Sequence, residues 1–416
     1  MIETKLKFLT LAIQSGGTPT SDNPLNYSED GIPWVAIGDM STKAEVYDTE
    51  KKITEVGRKE KNLNIYPSNT VLYSIYATIG KVSMLKIPAT VNQAILAIKP
   101  HKELDNKFLY YALNSIEYRA LEEVSTSTQS NLNTDKVKNF KIPFYPIEDQ
   151  IKITDYLDKK IATIDSIIEN LENQIKEISE MEVNLITEKI KYGVDISNIS
   201  DSRITWIGKM NHTFDIGMIK YDFSLHGRIG WQGLTTNDYK EEGPYLITGT
   251  DFDNGGVNWN TCVHISEQRY MEDANIHVKE NDLLITKDGT IGKLAIAKNC
   301  PEKVSLNSGI MLIKPKTQKC DTTYLRYVLS SHVFWDWYDF SQKGYSTIRH
   351  LYQEQFYYFK YPLPTLKQQI EIVKYLNEKC TKIQSLIQIK KDKIEEYKKL
   401  KRTIIYECVF RKKEVC

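Results

Sequence analysis

The string Gly289-Thr290-Ile291-Gly292-Lys293 has the glycines and lysine of a phosphate-binding loop, so it is the first place to look for nucleotide chemistry. Three features argue against that reading. Lys287 stands where the first glycine belongs, Leu294 follows the lysine in place of Ser or Thr, and the flanking pattern reads strand-turn-strand instead of strand-loop-helix. A glycine-permitted hairpin fits better, and Lys293 at its tip then becomes a phosphate contact, as does Lys81 in the related Ala77-Thr78-Ile79-Gly80-Lys81. Catalytic patterns are missing. There is no Asn-Pro-Pro-Tyr or Asp-Pro-Pro-Tyr for holding a target adenine, the only Asn-Pro being Asn23-Pro24, and no glycine-rich loop suited to S-adenosylmethionine or convincing nuclease carboxylate pattern. The six cysteines form no C-x-x-C pair and the seven histidines are scattered singly, which predicts neither disulfide framework nor zinc site. These residues predict a chain that is not an enzyme and holds no metal or cofactor of its own.

Binding chemistry is better represented. Amides, hydroxyls, aromatics and basic side chains collect in loops at Gly16–Thr20, Ser125–Asn131 and Lys343–His350. Such groups read base edges, while glycine lets backbone approach phosphate. The candidates for contact with double-stranded DNA are Gly17, Thr18, Tyr76, Thr78, Lys81, Thr128, Gln129 and Asn131 in the first half, and Lys287, Thr290, Lys293, Tyr345, Thr347 and Arg349 in the second. Any one of them taken singly is equally well a solvated turn; as matched sets they gain weight.

The elements that must position these loops occur twice. The segment from Lys141 returns at Lys360, with an offset close to 219 residues and no gap: Pro143 matches Pro362, Gln150 matches Gln369, and Tyr156-Leu157 matches Tyr375-Leu376. In the first copy Leu157, Ile161, Ile164, Ile168, Leu171, Ile175 and Ile178 step by four and three, the spacing of a coiled-coil seam. The second copy continues the seam with Leu376, Ile383, Ile387 and Ile394, interrupted by Lys390. No proline or glycine interrupts either helix. The globular halves repeat more loosely, through the two Thr-Ile-Gly-Lys strings, Asn92…Ile98-Lys99-Pro100 against Asn307…Ile313-Lys314-Pro315, and the runs 105–123 and 321–339, which read as helices. Short apolar runs such as Val71–Tyr76, Leu283–Thr286 and Lys293–Ala297 read as strands.

The fold expected is therefore α+β: two pseudo-symmetric mixed α/β domains separated by two long antiparallel helices forming a coiled coil. The boundaries are 1–145 for the first domain, 146–192 for the first helix, 193–205 for a polar linker, 206–364 for the second domain and 365–412 for the second helix. Net charges of +1, −6, −1 and +7 for residues 1–145, 146–205, 206–360 and 361–416 favour pairing of the two helices within one molecule. The rival is that each helix pairs with a different protein. An antiparallel pair places one domain at each end, a dumbbell. With 41% hydrophobic residues, no apolar run long enough for a membrane span and no convincing signal peptide, a cytoplasmic address without membrane contact is expected.

The order and duplication of these motifs resemble the specificity subunits of type I restriction-modification systems over nearly the whole chain. The residues that carry the resemblance are Ile142-Pro143…Gln150-Ile151…Tyr156-Leu157-Asp158 with its repeat at Tyr361-Pro362…Gln369-Ile370…Leu376, the Thr-Ile-Gly-Lys pair, Thr128-Gln129…Asn131-Leu132-Asn133, and Trp206-Ile207-Gly208 opening the second repeat. The first repeat lacks a counterpart of that Trp-Ile-Gly lead. The resemblance implies that the two mixed α/β domains are target-recognition domains, each for one half of a bipartite DNA site whose unread spacer is set by the helices. It further implies two modification subunits that bring S-adenosylmethionine, and restriction subunits that use ATP and Mg. A coiled-coil scaffold that never touches DNA, and an enzyme in its own right, are the alternatives from other classes.

Overall fold

The computed structural model describes residues 2–40, 44–117, 132–228, 234, 236–342 and 349–412. The chain divides into two compact units, Met1–Glu172 with Lys391–Cys416, and Asn173–Lys390, so each unit takes one globular domain and a share of both long helices.

In the first unit a five-stranded sheet runs in the order Thr10–Ser15, Ile95–Pro100, Val71–Ser74, Val82–Leu85, Glu45–Val46. The central strand Val71–Ser74 is buried at every position, which explains its unbroken apolar run where a half-exposed strand would alternate. A three-stranded sheet, Lys51–Ile53, Tyr27–Val35, Thr90–Val91, packs with it, and Ile2–Lys5 pairs antiparallel with Lys141–Phe144. The second unit repeats this plan. Its larger sheet runs Phe223–His226, Ile310–Pro315, Leu283–Thr286, Leu294–Ile296, Gly256–Val257, Phe252–Asp253, its smaller one Val263–His264, Lys240–Ile247, Val304–Leu306, and Asp215–Met218 pairs with Lys360–Leu363. The two domains share strand order and pairing sense as well as sequence motifs, so the duplication extends to topology.

The long helices run Ile147–Tyr192 and Leu366–Val409. Within the first unit Asp149 meets Arg411 at 2.5 Å and Asp165 meets Lys401 at 2.6 Å; within the second, Gln174 accepts from Lys390 Nζ at 2.6 Å and Glu182 pairs with Gln384. As numbering rises on one helix it falls on the other, so the pairing is antiparallel in both units. The seam expected from the heptads faces inward. Leu157, Ile161, Ile164, Leu376, Ile387 and Ile394 are buried, and Ile168, Leu171, Ile175, Ile178 and Ile383 are half-buried. Lys390, the polar interruption, is matched by the amide of Gln174 rather than left facing carbon.

Three local expectations change. The run 321–339 is two helices, Thr322–Ser330 and His332–Ser341, because Ser331 adopts an extended conformation (φ −92°, ψ 165°), is fully buried and bonds the Val328 carbonyl through its hydroxyl at 2.6 Å. Of the helix expected over 105–123, Asn106–Ser115 is helical, Ile116 turns its N–H onto the Leu113 and Asn114 carbonyls, and residues 118–123 lie outside the described residues. The linker holds a strand, Ile199–Asp201, paired with Lys209–Asn211. The Trp206-Ile207-Gly208 lead is structural: Trp206 Nε1 donates to the Lys360 carbonyl at 2.9 Å, Ile207 is buried, and Gly208 has φ +64°.

Candidate nucleic-acid interface

Each domain presents a hairpin built on the same frame. In the first, Ser74 Oγ accepts from Lys81 N at 3.0 Å and donates to the Thr78 carbonyl, while Gly80 N donates to the Ser74 carbonyl at 3.1 Å. In the second, Thr286 Oγ1 accepts from Lys293 N at 2.9 Å and donates to the Thr290 carbonyl at 2.6 Å, and Gly292 N donates to the Thr286 carbonyl at 2.9 Å. The left-handed positions also coincide, at Ala77 (φ 59°) and Gly80 (φ 85°) against Gly289 (φ 65°) and Gly292 (φ 81°). At Gly292 the space is closed as well, since a Cβ there would lie 2.5 Å from Trp335. The Gly-Thr-Ile-Gly-Lys string therefore joins antiparallel strands, Leu283–Thr286 and Leu294–Ile296, and does not open a helix.

The residue that follows the candidate loop 125–131, and the one that follows 343–350, each bond to this hairpin. Leu132 N donates to the Ile75 carbonyl at 3.3 Å, and Leu351 N to the Lys287 carbonyl at 3.1 Å. Just ahead of Leu351, His350 Nδ1 pairs with Asp288 Oδ1, and the His350 ring sits 4.6 Å from Tyr352.

Of the candidate residues, Tyr76, Thr78, Lys81, Thr290, Lys293 and Arg349 are exposed, and Lys287 is half-buried. Neither the Lys81 nor the Lys293 ammonium has a partner among the described residues. Arg349 lies 3.5 Å from Asp339 in an exposed pair. Lys81 also lines a cavity of about 470 Å³ in the first unit with Lys107, Tyr111, Asp158, Lys401 and Arg402. Thr128, Gln129, Asn131, Tyr345 and Thr347 lie outside the described residues. Sequence reading passed over Asp288 and His350 as a pair, because 62 residues separate them and neither letter recurs at the matching place in the first domain.

The Gly16-Gly17 loop is shaped from inside. A Cβ at Gly16 would lie 1.6 Å from the Val91 carbonyl oxygen, Gly17 N donates to that same carbonyl at 3.1 Å, and the Gly17 carbonyl accepts from Trp34 Nε1 at 3.0 Å. Thr18 pairs with Gln93. Thr20 is held by Glu60, whose carboxylate accepts from Thr20 Oγ1 at 2.8 Å, Thr20 N at 3.2 Å and Asn26 Nδ2. These hydrogen bonds, the Thr20 hydroxyl's foremost, push the Glu60 carboxyl down to about 2 from its ordinary 4.5. A depressed carboxyl stabilises the fold above its unfolded value and loses that contribution as pH falls through the folded one. Between pH 4.5 and about 2 the loop should therefore loosen, and Glu60→Gln should flatten that acid response, read as hydrogen exchange at the Gly17 and Thr20 amides.

Among the described residues no cluster of three His, Cys, Asp or Glu could hold a metal ion, and no helix is long and apolar enough to cross a membrane. The two hairpins are carried on a duplicated mixed α/β domain joined to paired helices. The family model of the type I restriction modification DNA specificity domain matches twice, over residues 10–177 and 233–396. The chain belongs to that family. It is 32% identical over 169 residues to the specificity subunit of the type I restriction enzyme EcoR124I/EcoR124II of Escherichia coli, a match covering 39% of this chain and 41% of the relative. The MjaIX specificity subunit of Methanocaldococcus jannaschii is 31% identical over 177 residues, 41% of this chain and 40% of the relative. The chain thus spans about two fifths of the length of each of these two relatives. A longer match, 23% identical over 381 residues, covers 88% of this chain and 76% of the EcoBI specificity subunit of Escherichia coli. A solved structure described as the structural basis underlying complex assembly and conformational transition of the type I R-M system shares the fold, with a TM-score of 0.66 at 14% identity over 98% of this chain and 97% of that one.

Proposed function

We propose that this chain is the DNA-recognition subunit of a type I restriction-modification complex, each domain reading one half of a bipartite duplex site. The observation that carries the reading is the hairpin frame built twice, with Thr, Ile, Gly and Lys kept at its tip and a loop end delivered beside it in both domains. An unpartnered lysine at each tip suits phosphate positioning, and the neighbouring variable side chains suit base reading. Methylation of adenine with S-adenosylmethionine, and ATP- and Mg-dependent cleavage, belong in this proposal to modification and restriction subunits, with the complex working in the cytoplasm.

Two modification subunits fit a surface that is itself duplicated. Ile147 and Ile151, one turn apart on one helix face, are 40% and 46% exposed, and their repeat counterparts Leu366 and Ile370 are 43% and 55% exposed. Apolar side chains kept in water at both copies are what two identical partners would cover.

The reading is tested by co-expressing the chain with a modification subunit and mapping methylated adenines by single-molecule sequencing. A split motif with two defined halves and a fixed gap is expected. A complex that forms but methylates without sequence preference would favour the scaffold alternative.

A further inference from the structure

We infer that Tyr76 and Asp288 occupy one matched position at which the two half-sites are read differently, and that Asp288 selects a base pair offering an amino group in the major groove of the second half-site. This rests on the recognition reading above and deepens it.

Within the matched hairpins the residues divide by role. Thr78/Thr290, Ile79/Ile291, Gly80/Gly292 and Lys81/Lys293 are identical, and each has a constant task in the frame or at the exposed tip. The three preceding positions differ: Ile75/Lys287, Tyr76/Asp288 and Ala77/Gly289. Of these, Ile75 is buried, Lys287 is half-buried, and Ala77/Gly289 is a backbone requirement at positive φ. Only the middle position puts a different functional group into solvent from the same backbone. Tyr76 is 40% exposed, and the Asp288 side chain is 47% exposed.

An exposed carboxylate in the same hairpin as Lys293 is a liability on a surface that meets a polyanion, unless it is used. A carboxylate only accepts hydrogen bonds, and the donors on major-groove base edges are the amino groups of cytosine N4 and adenine N6. Asp288 is also pre-oriented. Its Oδ1 is held by His350 Nδ1, the His350 ring is braced by Tyr352, and Oδ2 has no partner among the described residues. One oxygen fixes the carboxylate and the other is left to read. Tyr76 offers a ring and a hydroxyl that can both donate and accept, so the base it suits is of another kind.

The test uses the assembled methyltransferase and its methylated motif. The wild-type complex is read first; absence of a split motif there sinks the recognition reading itself. With a motif in hand, Asp288→Asn and Asp288→Ala are expected to relax or change one position of one half-site, with discrimination there falling roughly tenfold or more, while the other half and the gap stay as they were. Cytosine or adenine at the affected position identifies which amino group is read. Tyr76→Ala should alter one position of the opposite half. An unchanged motif in both Asp288 variants overturns the assignment, as does a change in the same half that Tyr76→Ala affects. If an Asp288 variant loses all methylation, its binding to the modification subunit and to non-specific duplex decides. Retention of both supports a reading role, and loss of either shows that the Asp288–His350 contact is structural and overturns it.

Discussion

Replacing Gln150 or Gln369 by leucine should unfold the junction between a domain and its long helix, at a cost of about 2–6 kcal/mol. Both side chains are fully buried. Gln150 Nε2 donates to the Tyr145 carbonyl at 2.7 Å and to the Glu103 carbonyl at 2.8 Å, while its Oε1 accepts from Asp105 N at 2.9 Å. Gln369 repeats the arrangement, donating to the Pro364 and Lys319 carbonyls at 2.8 Å each and accepting from Asp321 N at 2.8 Å. One amide thus ties the first turn of each long helix to the loop whose Asp105 or Asp321 carboxylate caps the next domain helix. Leucine keeps much of the volume but takes the partner from two carbonyls and an N–H; a buried group left unpaired costs about 1–3 kcal/mol, and because Glu103 and Lys319 are exposed and their carbonyls can turn to water, two such groups set the cost. Against a total stability of about 5–15 kcal/mol this is a large fraction. Glutamate separates hydrogen bonding from packing, since it keeps the shape but offers no pair of N–H donors and sets an acceptor against two carbonyls. Urea unfolding should rank wild type above both variants, and hydrogen exchange should place the Gln150 defect in the first unit and the Gln369 defect in the second. A Gln→Leu variant within 1 kcal/mol of wild type would show that the three hydrogen bonds contribute little.

These glutamines mark how far the sequence could be read. Their recurrence at an offset of 219 residues was visible, but what they hold was not, because Glu103 and Lys319 lie far along the chain from the helix starts. The long helices were legible, since heptad spacing is a local pattern and the seam it names is the buried one. The break at Ser331 was not, because serine is compatible with a helix and the extended conformation is imposed by packing around a buried hydroxyl. Gly16 and Gly17 were read for backbone that approaches phosphate; the close approach found in the fold is to the chain's own Val91 carbonyl, a neighbour about 75 residues away that no local pattern names. At the candidate interface the repeated lysines were legible by identity. Asp288 and His350 were not, since the feature that singles them out is a difference between the copies together with a contact across 62 residues.

Removing Lys81, Lys293 and Arg349 together should weaken DNA binding of the assembled complex without altering the sequence it prefers. Lys81 and Lys293 occupy the same place in the two hairpins and carry ammonium groups without partners among the described residues, and Arg349, next to the His350 that meets Asp288, makes an exposed, 3.5 Å pairing to Asp339. An ion pair so exposed contributes little to the fold, so alanine at all three should leave stability nearly unchanged. Charge without base contact sets affinity and its salt dependence. Each phosphate contact contributes about 0.9 to the slope of log affinity against log salt, so three should lower it by about 2.7 and weaken binding near physiological salt on the order of 10²-fold. Target and non-target duplex should lose affinity in the same proportion, and the methylated motif should stay the same. The measurement is binding across a salt series for the wild-type and triple-variant complexes. An unchanged slope would place these residues away from the duplex, whereas an unchanged slope accompanied by a changed motif would make them base readers.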